Sequence, residues 1–241
     1  MKSKKSSWTG APASALIAAA GLGSRMGAGV NKQFIMLDDM PVLAHTLLAF
    51  DSASQIDEVI VVTQETEILT ASDLVKDFGI RKVKGIVPGG ATRQESVRLG
   101  LSHVTCGKVL IHDGARPFVT PEQIDAVADQ LESCDAAALG IPVKDTIKRV
   151  GVNGLICETL ERDGLFQIQT PQGFRTEVIK KAHAQAALDE ISVTDDCALA
   201  EYIGIPVRIV TGSAHNLKVT TPEDLVIAEA LLLGKGMDCS G

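Results

Sequence analysis

Aromatic side chains and long apolar runs are both scarce in this chain. Phe, Trp and Tyr make up 3% of its 241 residues, which weakens any binding of single-stranded nucleic acid by base stacking. The formal net charge of −7 argues against the broad basic surface of a general nucleic-acid binder. The longest apolar run near the start is interrupted by Gly21 and Gly23, well short of the ~18 residues that a membrane span needs. We therefore expect neither a nucleic-acid partner nor a membrane.

Disulfide and zinc patterns are also missing. The five cysteines are widely spaced and odd in number, with no CxxC pair. The five histidines are scattered and form no HExxH motif. These absences predict reduced thiols in a cytoplasmic protein and argue against a histidine-rich metal site.

Charge is distributed unevenly along the chain. No acidic residue precedes Asp38, so the first 37 residues carry +5 and the remainder carries −12. Residues 1–13 are polar, small and basic, and are predicted to form a disordered tail, as are residues 234–241. The 45% of apolar residues can supply one sizeable core, so residues 14–233 are expected to form a single domain.

Within that domain, strand-like runs alternate with helical patterns. Strands are predicted at 14–20, 58–63, 81–87, 108–112, 136–142 and 207–211. Helices are predicted at 42–53 and 68–78, and two further helices begin at the proline signals Thr120-Pro121-Glu122-Gln123 and Thr221-Pro222-Glu223-Asp224. This alternation predicts an α/β fold: a Rossmann-like three-layer sandwich with a mostly parallel sheet.

One stretch, at about 143–165, departs from the alternation. The segment 145–150 reads as a strand, Gly151-Val152-Asn153-Gly154 as a turn, and 155–157 as a second strand, which together form a β-hairpin. A lone hairpin is unstable in water and needs a partner surface. We expect a projecting dimerisation arm; the alternative is a flap over the same subunit.

The strongest chemical signal follows the first strand, in Ala18-Ala19-Ala20-Gly21-Leu22-Gly23-Ser24-Arg25-Met26-Gly27. Small residues allow close approach of the backbone, whose N–H groups can hold a phosphate. The segment matches neither the Walker A pattern nor the dinucleotide pattern GxGxxG, because Met26 stands where the last glycine is required. Together with Arg25 and Lys32 it suits a triphosphate. A glycine-rich turn with solvated charges is the alternative.

Three further segments carry candidate site residues. In His112-Asp113-Gly114-Ala115-Arg116-Pro117, Asp113 ends a predicted central strand and could hold Mg²⁺ on a nucleotide, or could pair with Arg116 to brace the turn. In Pro88-Gly89-Gly90-Ala91-Thr92-Arg93-Gln94-Glu95-Ser96-Val97, Ser96 and the glycine amides could read a base, although Gly-Gly before a helix is also ordinary turn chemistry. Lys218, before the last helix, could approach a phosphate or be solvated.

Taken in order with Pro142-Val143-Lys144-Asp145-Thr146-Ile147-Lys148 and Thr170-Pro171-Gln172, these segments resemble a known family. The set is similar to the 2-C-methyl-D-erythritol 4-phosphate cytidylyltransferases of the non-mevalonate isoprenoid pathway, over nearly the whole domain. The resemblance implies the transfer of a cytidylyl group from CTP to methylerythritol phosphate, with Mg²⁺ as cofactor. It also implies a homodimer whose arm reaches the neighbouring site.

The resemblance assigns roles residue by residue. The positions implied in catalysis are cationic: Arg25, Lys32 and Lys218. Those implied in nucleotide binding are Ala19, Ala20, Gly21, Gly23, Gly90, Ser96, Asp113 and Gly114, with Asp113 also the metal ligand. Those implied in acceptor binding are Arg116, Thr146, Arg162 and Thr170, of which Thr146 and Arg162 lie on the arm.

Two positions depart from the family pattern, and other functions remain open. The family often has proline where this chain has Ala18 and Asn31, so Asn31 is expected to let the Lys32 loop move more freely before substrate binds. A cytidylyltransferase for ribitol 5-phosphate or another polyol phosphate is the nearest alternative. A non-catalytic nucleotide-binding regulator and an NAD-dependent dehydrogenase are the others; Met26 weakens the last of these.

Overall fold

The strands and helices follow the alternation that the sequence predicts. The computed structural model of the chain describes residues 11–21 and 31–238. Its strands are β1 (Ala13–Ala18), β2 (Met36–Leu37), β3 (Met40–Pro41), β4 (Ile56–Thr63), β5 (Val83–Pro88), β6 (Lys108–Asp113), β7 (Ala136–Pro142), β8 (Lys148–Val150), β9 (Ile156–Thr159), β10 (Phe166–Arg175) and β11 (Arg208–Thr211). The α-helices are α1 (Val42–Ser52), α2 (Ile68–Asp77), α3 (Arg93–Leu101), α4 (Pro121–Gln130), α5 (Thr176–Leu188), α6 (Asp196–Tyr202) and α7 (Pro222–Asp238).

Seven strands form one sheet in the order β11-β7-β10-β6-β1-β4-β5. All its pairings are parallel except those of β10, which runs antiparallel to both β6 and β7. The prediction of a mostly parallel sheet is therefore confirmed. The carboxyl ends of β1, β4 and β6 lie side by side, which is the edge where open α/β sheets bind ligands.

Helices cover both faces of this sheet, which gives the predicted three layers. Side chains of α1, α2 and α4 pack with one face of β1, to which Ala15 and Ile17 belong. Side chains of α3, α5 and α6 pack with the other face, to which Leu16 belongs. This alternation along β1 follows from the two-residue period of a strand, and both faces are buried as in other parallel sheets.

Two boundaries of the predicted domain need correction. Strand β1 already begins at Ala13, which was assigned to the N-terminal tail. Helix α7 continues to Asp238, although Gly234 and Gly236 are poor helix formers, so the predicted C-terminal tail begins too early. The remaining parts of the two predicted tails, 1–10 and 239–241, lie outside the described residues.

Strands β8 and β9 pair antiparallel with each other in a separate two-stranded sheet. Every residue of both strands is exposed, including the apolar Val150 and Ile156. Gly154 has a φ of +77°, a left-handed conformation that suits glycine in the connecting turn. The dimerisation role of this hairpin stays a prediction.

In the described part of the chain, no helix combines the length and the apolar character needed to cross a membrane.

Candidate active site

A cavity of about 370 Å³ opens at the carboxyl edge of the sheet, between β1, β6 and the start of α3. It brings together seven of the residues that the sequence singles out. These are Ala20, Gly21, Lys32, Gly90, Ser96, Asp113 and Lys218. Arg25 and Gly23 lie outside the described residues. Segments far apart in the chain thus meet at one place, where backbone amides, cationic side chains and a carboxylate face the same space.

Close packing explains two of the glycines at this cavity. A Cβ on Gly89 would lie 2.6 Å from the Cβ of Ala20 and 2.7 Å from Oγ of Ser96. A Cβ on Gly114 would overlap Oε1 of Gln33, and would also crowd Leu43 and Ala19. Gly114 therefore acts in this structure through the close packing that it permits behind the cavity.

Ser96 shapes the glycine loop from within. Its Oγ accepts from the Gly90 N–H at 3.0 Å and donates to the Thr92 carbonyl at 2.8 Å. The Ala91 N–H donates to the Glu95 carboxylate at 2.8 Å, and Thr92 caps the start of α3. With its hydroxyl used in this way, Ser96 holds the loop in place, and its reading of a base stays a prediction.

Asp113 is surrounded by three cations. Its Oδ1 lies 3.1 Å from Nε of Arg93, and its Oδ2 lies 2.8 Å from Nζ of Lys218 and 3.6 Å from Nε of Arg116. Burial alone would raise the pKa of Asp113, but the charges of Arg93 and Lys218 outweigh it and hold that pKa well below its usual range. The expected alternative of a simple Asp113–Arg116 brace is incomplete, because Arg93 and Lys218 lie closer.

Arg93 extends this ionic cluster to a second carboxylate. Its Nη1 donates to Oδ2 of the fully buried Asp196 at 2.8 Å. Burial would lower the pKa of Arg93, but Asp196 and Asp113 raise it further above its ordinary value. Asp196 also lies 3.3 Å from Nε2 of His183. Arg93 thus stays charged and links the cavity to the buried side of α5 and α6.

Thr170, an expected acceptor-binding residue, is buried and hydrogen bonded. Its Oγ1 accepts from the Asp113 N–H at 3.1 Å and lies 2.9 Å from Nδ1 of His112. Nε2 of His112 lies 3.3 Å from the Arg116 carbonyl. Burial lowers the pKa of His112 to about 3, so the ring is neutral at ordinary pH. We assign its proton to Nε2, because the Thr170 hydroxyl can then donate to Nδ1.

A second cavity, of about 400 Å³, lies beside the first and shares Lys218 with it. Arg116, Lys144 and Asn216 are among its lining residues. Arg116 is oriented by a hydrogen bond from Nη1 to the Asn216 carbonyl at 2.7 Å, and the Asn216 amide donates to the Thr170 carbonyl at 2.9 Å. This second space offers cationic and amide groups, which suit a phosphorylated polyol.

Six predicted site residues among those described are not in the lining of the first cavity: Gly114 and Arg116, treated above, and Ala19, Thr146, Arg162 and Thr170. Ala19 is fully buried, and its N–H donates to the Val62 carbonyl at 2.7 Å. Thr146 and Arg162 are exposed on the segment that carries the hairpin, where Nη1 of Arg162 donates to the Lys144 carbonyl at 2.7 Å. Thr170 lies behind Asp113. Within one subunit, the arm residues are therefore not assembled with the cavity.

Sequence reasoning did not single out Arg93, Gln33 or Asp196. Arg93 and Gln33 line the cavity, and Asp196 holds Arg93. A usable signal existed for Arg93: Thr92 and Glu95 stand at capping-box spacing, which places Arg93 in the first turn of a helix at the ligand edge. Asp196 lacked any such signal, because its contact joins the first residues of α3 and α6, which are far apart in the chain.

Comparisons with known proteins agree over almost the whole chain. The family model described as 2-C-methyl-D-erythritol 4-phosphate cytidylyltransferase matches residues 13–234. A protein of that name from Syntrophotalea carbinolica is 48% identical over 221 residues, covering 90% of this chain and 94% of the relative. One from Halalkalibacterium halodurans is 48% identical, covering 92% and 97%.

Solved structures show the same architecture. The 4-diphosphocytidyl-2C-methyl-D-erythritol synthase of Anaerococcus prevotii superposes with a TM-score of 0.84 at 30% identity, covering 92% of this chain and 96% of that one. The 2-C-methyl-D-erythritol 4-phosphate cytidylyltransferase of Thermus thermophilus superposes with a TM-score of 0.73 at 33% identity, covering 90% and 97%.

Proposed function

Because this chain belongs to the 2-C-methyl-D-erythritol 4-phosphate cytidylyltransferase family, we propose that it makes 4-diphosphocytidyl-2-C-methyl-D-erythritol and pyrophosphate from CTP and 2-C-methyl-D-erythritol 4-phosphate. It is a cytidylyltransferase of the non-mevalonate isoprenoid pathway. The observation that carries the proposal is the meeting of Lys32, Asp113 and Lys218 at one cavity beside two glycine loops, in a chain matched by the family from 13 to 234. We place the reaction in the cytoplasm, which the reduced cysteines favour.

The chemistry needs no general base. The acceptor is a phosphate monoester, whose oxygen is already charged at neutral pH. That oxygen attacks the α-phosphorus of CTP in line, a new P–O bond forms, and the bond to pyrophosphate breaks with its electron pair leaving on pyrophosphate. The neutral His112 and the ion-paired Asp113 are both committed to other contacts, which supports a mechanism without proton abstraction.

The difficulty is the approach of one anion to another. Catalysis then comes from alignment and from the neutralisation of negative charge. We assign Lys32 and Arg25 to the triphosphate, Arg25 from the family resemblance alone. We assign Lys218 and Arg116 to the side of the acceptor phosphate, since Lys218 lies at the boundary between the two cavities.

The residues present fit a magnesium ion that takes most of its ligands from phosphate and water. No group of three metal-ligating side chains occurs among the described residues, and Mg²⁺ on a nucleotide needs only one or two carboxylates. The ionised Asp113 offers about four lone-pair sites, more than the two hydrogen bonds that its carboxylate receives from the side chains of Arg93 and Lys218. Asp113 would hold the ion, which would neutralise charge on the triphosphate.

We also propose that the hairpin joins two subunits and brings Thr146 and Arg162 to the neighbouring acceptor site. The exposed apolar side chains of the arm support this, because a two-stranded sheet needs a covering surface to be stable. The acceptor cavity of one subunit would then be completed by the partner.

Pyrophosphate release tests the proposal. Each of the four nucleoside triphosphates is combined with methylerythritol phosphate and with ribitol 5-phosphate, with Mg²⁺ and with a chelator. We expect release with CTP, methylerythritol phosphate and Mg²⁺, and none with the chelator. Release with ribitol 5-phosphate but not with methylerythritol phosphate would make ribitol 5-phosphate the acceptor. No release with any pair would favour a nucleotide-binding regulator.

A further inference from the structure

The residue before Lys32 is fastened by its own side chain. Asn31 is 7% exposed, and its Nδ2 donates to Oε2 of Glu67 at 2.8 Å and lies 3.5 Å from the Ala19 carbonyl. Its Oδ1 accepts from the Gln33 N–H at 3.3 Å, which caps the short 3₁₀ helix Lys32–Phe34. One amide therefore connects the first glycine loop, the turn that carries Lys32, and Glu67.

Glu67 is itself tied to the central sheet. Its Oε2 also accepts from Oγ1 of Thr63 at 3.1 Å, and Thr63 is the fully buried last residue of β4. The Glu67 N–H bonds to the carbonyl of Gln64, which lines the cavity. Hydrogen bonds to a carboxylate are about twice as strong as neutral ones. Asn31 is thus anchored to a rigid strand that ends at the site.

The backbone of Asn31 has the angles that a proline ring would impose. Its φ is −61° and its ψ is 125°, and proline holds φ near about −65°. Asparagine has no ring that fixes φ, and its side-chain hydrogen bonds favour this conformation over the others open to an unrestrained residue. Because Lys32 is the next residue, the backbone angles of Asn31 set the position from which the Lys32 side chain reaches the cavity.

We propose that the Asn31–Glu67 hydrogen bond holds Lys32 at the cavity before substrate binds, which makes Asn31 and Glu67 positioning residues for cytidylyl transfer. The proposal rests on the proposed function. The sequence predicts that Asn31 lets the Lys32 loop move more freely than proline would. The structure favours the opposite, because three hydrogen bonds of the Asn31 side chain restrain the loop where the family often has a proline ring.

Four variants test it by steady-state pyrophosphate release: Asn31→Ala, Asn31→Pro, Glu67→Ala and the double variant Asn31→Pro/Glu67→Ala. We expect Asn31→Ala and Glu67→Ala each to lower kcat, by up to the roughly 10²-fold that a 1 Å misplacement of a reacting group can cost. Asn31→Pro should stay within about twofold of the parent, and Glu67→Ala should cost nothing more in that background, because the ring fixes φ without the carboxylate. Glu65→Ala, an exposed carboxylate on the same turn, is the matched control.

A second measurement does not depend on activity. Amide hydrogen exchange of Phe34, whose N–H bonds to the Asn31 carbonyl at 2.9 Å, should accelerate in Asn31→Ala and Glu67→Ala and stay slow in Asn31→Pro. Unchanged exchange in Glu67→Ala, or an equal kinetic loss with and without proline, overturns the positioning role. An inactive parent with the expected exchange pattern overturns the proposed function and leaves the positioning supported.

Discussion

The role proposed for Lys32 can be tested by a single substitution. Lys32 lines the same cavity as Gly21 and Asp113, and in the proposed reaction it neutralises the charge that develops on the leaving pyrophosphate. We expect Lys32→Ala to lower kcat by on the order of 10²-fold, the usual loss when one preorganised transition-state contact is removed. Steady-state pyrophosphate release measures it, with Lys84→Ala as control, since Lys84 is exposed and bonds to the Arg81 carbonyl. A near-parental rate removes Lys32 from the mechanism.

His112 should make stability depend on pH. The pKa of His112 is about 3 in the folded protein, below the ordinary 6.5. Between these two values the unfolded chain binds a proton that the folded protein does not bind. The free energy of unfolding should therefore fall as the pH falls through the window from about 6.5 toward 3. We expect about 2 kcal/mol of this loss between pH 7 and pH 5 to come from His112.

Urea unfolding at both pH values checks this expectation. His112→Asn keeps an acceptor for Thr170 and should show a smaller difference between pH 7 and pH 5. His103→Asn, on an exposed turn, should keep the parental difference. If His112→Asn has the parental pH dependence, another group is responsible, whatever the absolute stability of the variant.

At the level of single residues, sequence motifs identified site residues next to recognisable strands and helices. They missed contacts between residues that are far apart in the chain. Gly90, Asp113 and Lys218 were predictable because each follows or precedes a recognisable strand or capped helix. The ion pair between Arg93 and Asp196 joins residues 103 positions apart, so no local pattern could indicate it. The hydroxyl of Ser96 is bonded within its own loop, to Gly90 and Thr92, and its reading of a base stays a prediction.

At the level of elements, the sequence did not predict strand β10 of the central sheet. Its residues include several polar side chains and Pro171, which argues against a central strand. In the structure, the pairing with β7 shifts register between Ile168 and Gln172, so the proline lies at an irregularity of the ladder. The polar side chains are satisfied by other groups: Gln172, for example, donates to Asp195 at 2.8 Å.

The hairpin element allows a direct test of action between subunits. Arg162→Ala and Lys218→Ala are each expected to be nearly inactive, but a mixture that forms heterodimers should regain activity. One site of each heterodimer then combines an intact Lys218 with an intact Arg162 from the partner. Random pairing should restore about a quarter of the parental activity.

A matched mixture serves as the control for this complementation. Lys32→Ala with Lys218→Ala places both defects on residues that line the same cavity of one subunit, so every mixed dimer should stay defective. Sedimentation establishes that mixed dimers form. If the Arg162 and Lys218 variants also fail to complement each other as verified dimers, the arm does not act across the interface.

For the whole molecule, net charge and site charge are separate properties. The chain carries −7 overall, while Lys32, Arg93 and Lys218 converge on one cavity. The total charge was a sound reason to exclude a broad basic surface, but it could not exclude a small cationic pocket. Alternating strands and helices likewise predicted the class of fold. The order of the strands was not predictable, because it depends on pairings between distant segments.

The order of strands also bears on how the chain emerges during synthesis. Strand β7 pairs with β10 and β11, and β6 pairs with β1 and β10. A nascent chain that ends at residue 165 therefore has all of β7 without a sheet neighbour and one side of β6 open. The native fold buries every residue of β6 and the first five residues of β7. Unpaired apolar edges recruit other chains. The ten residues Phe166–Arg175 pair with both strands at once and leave only the β11 side of β7 open, so we expect the risk of aggregation to be greatest just before they leave the ribosome.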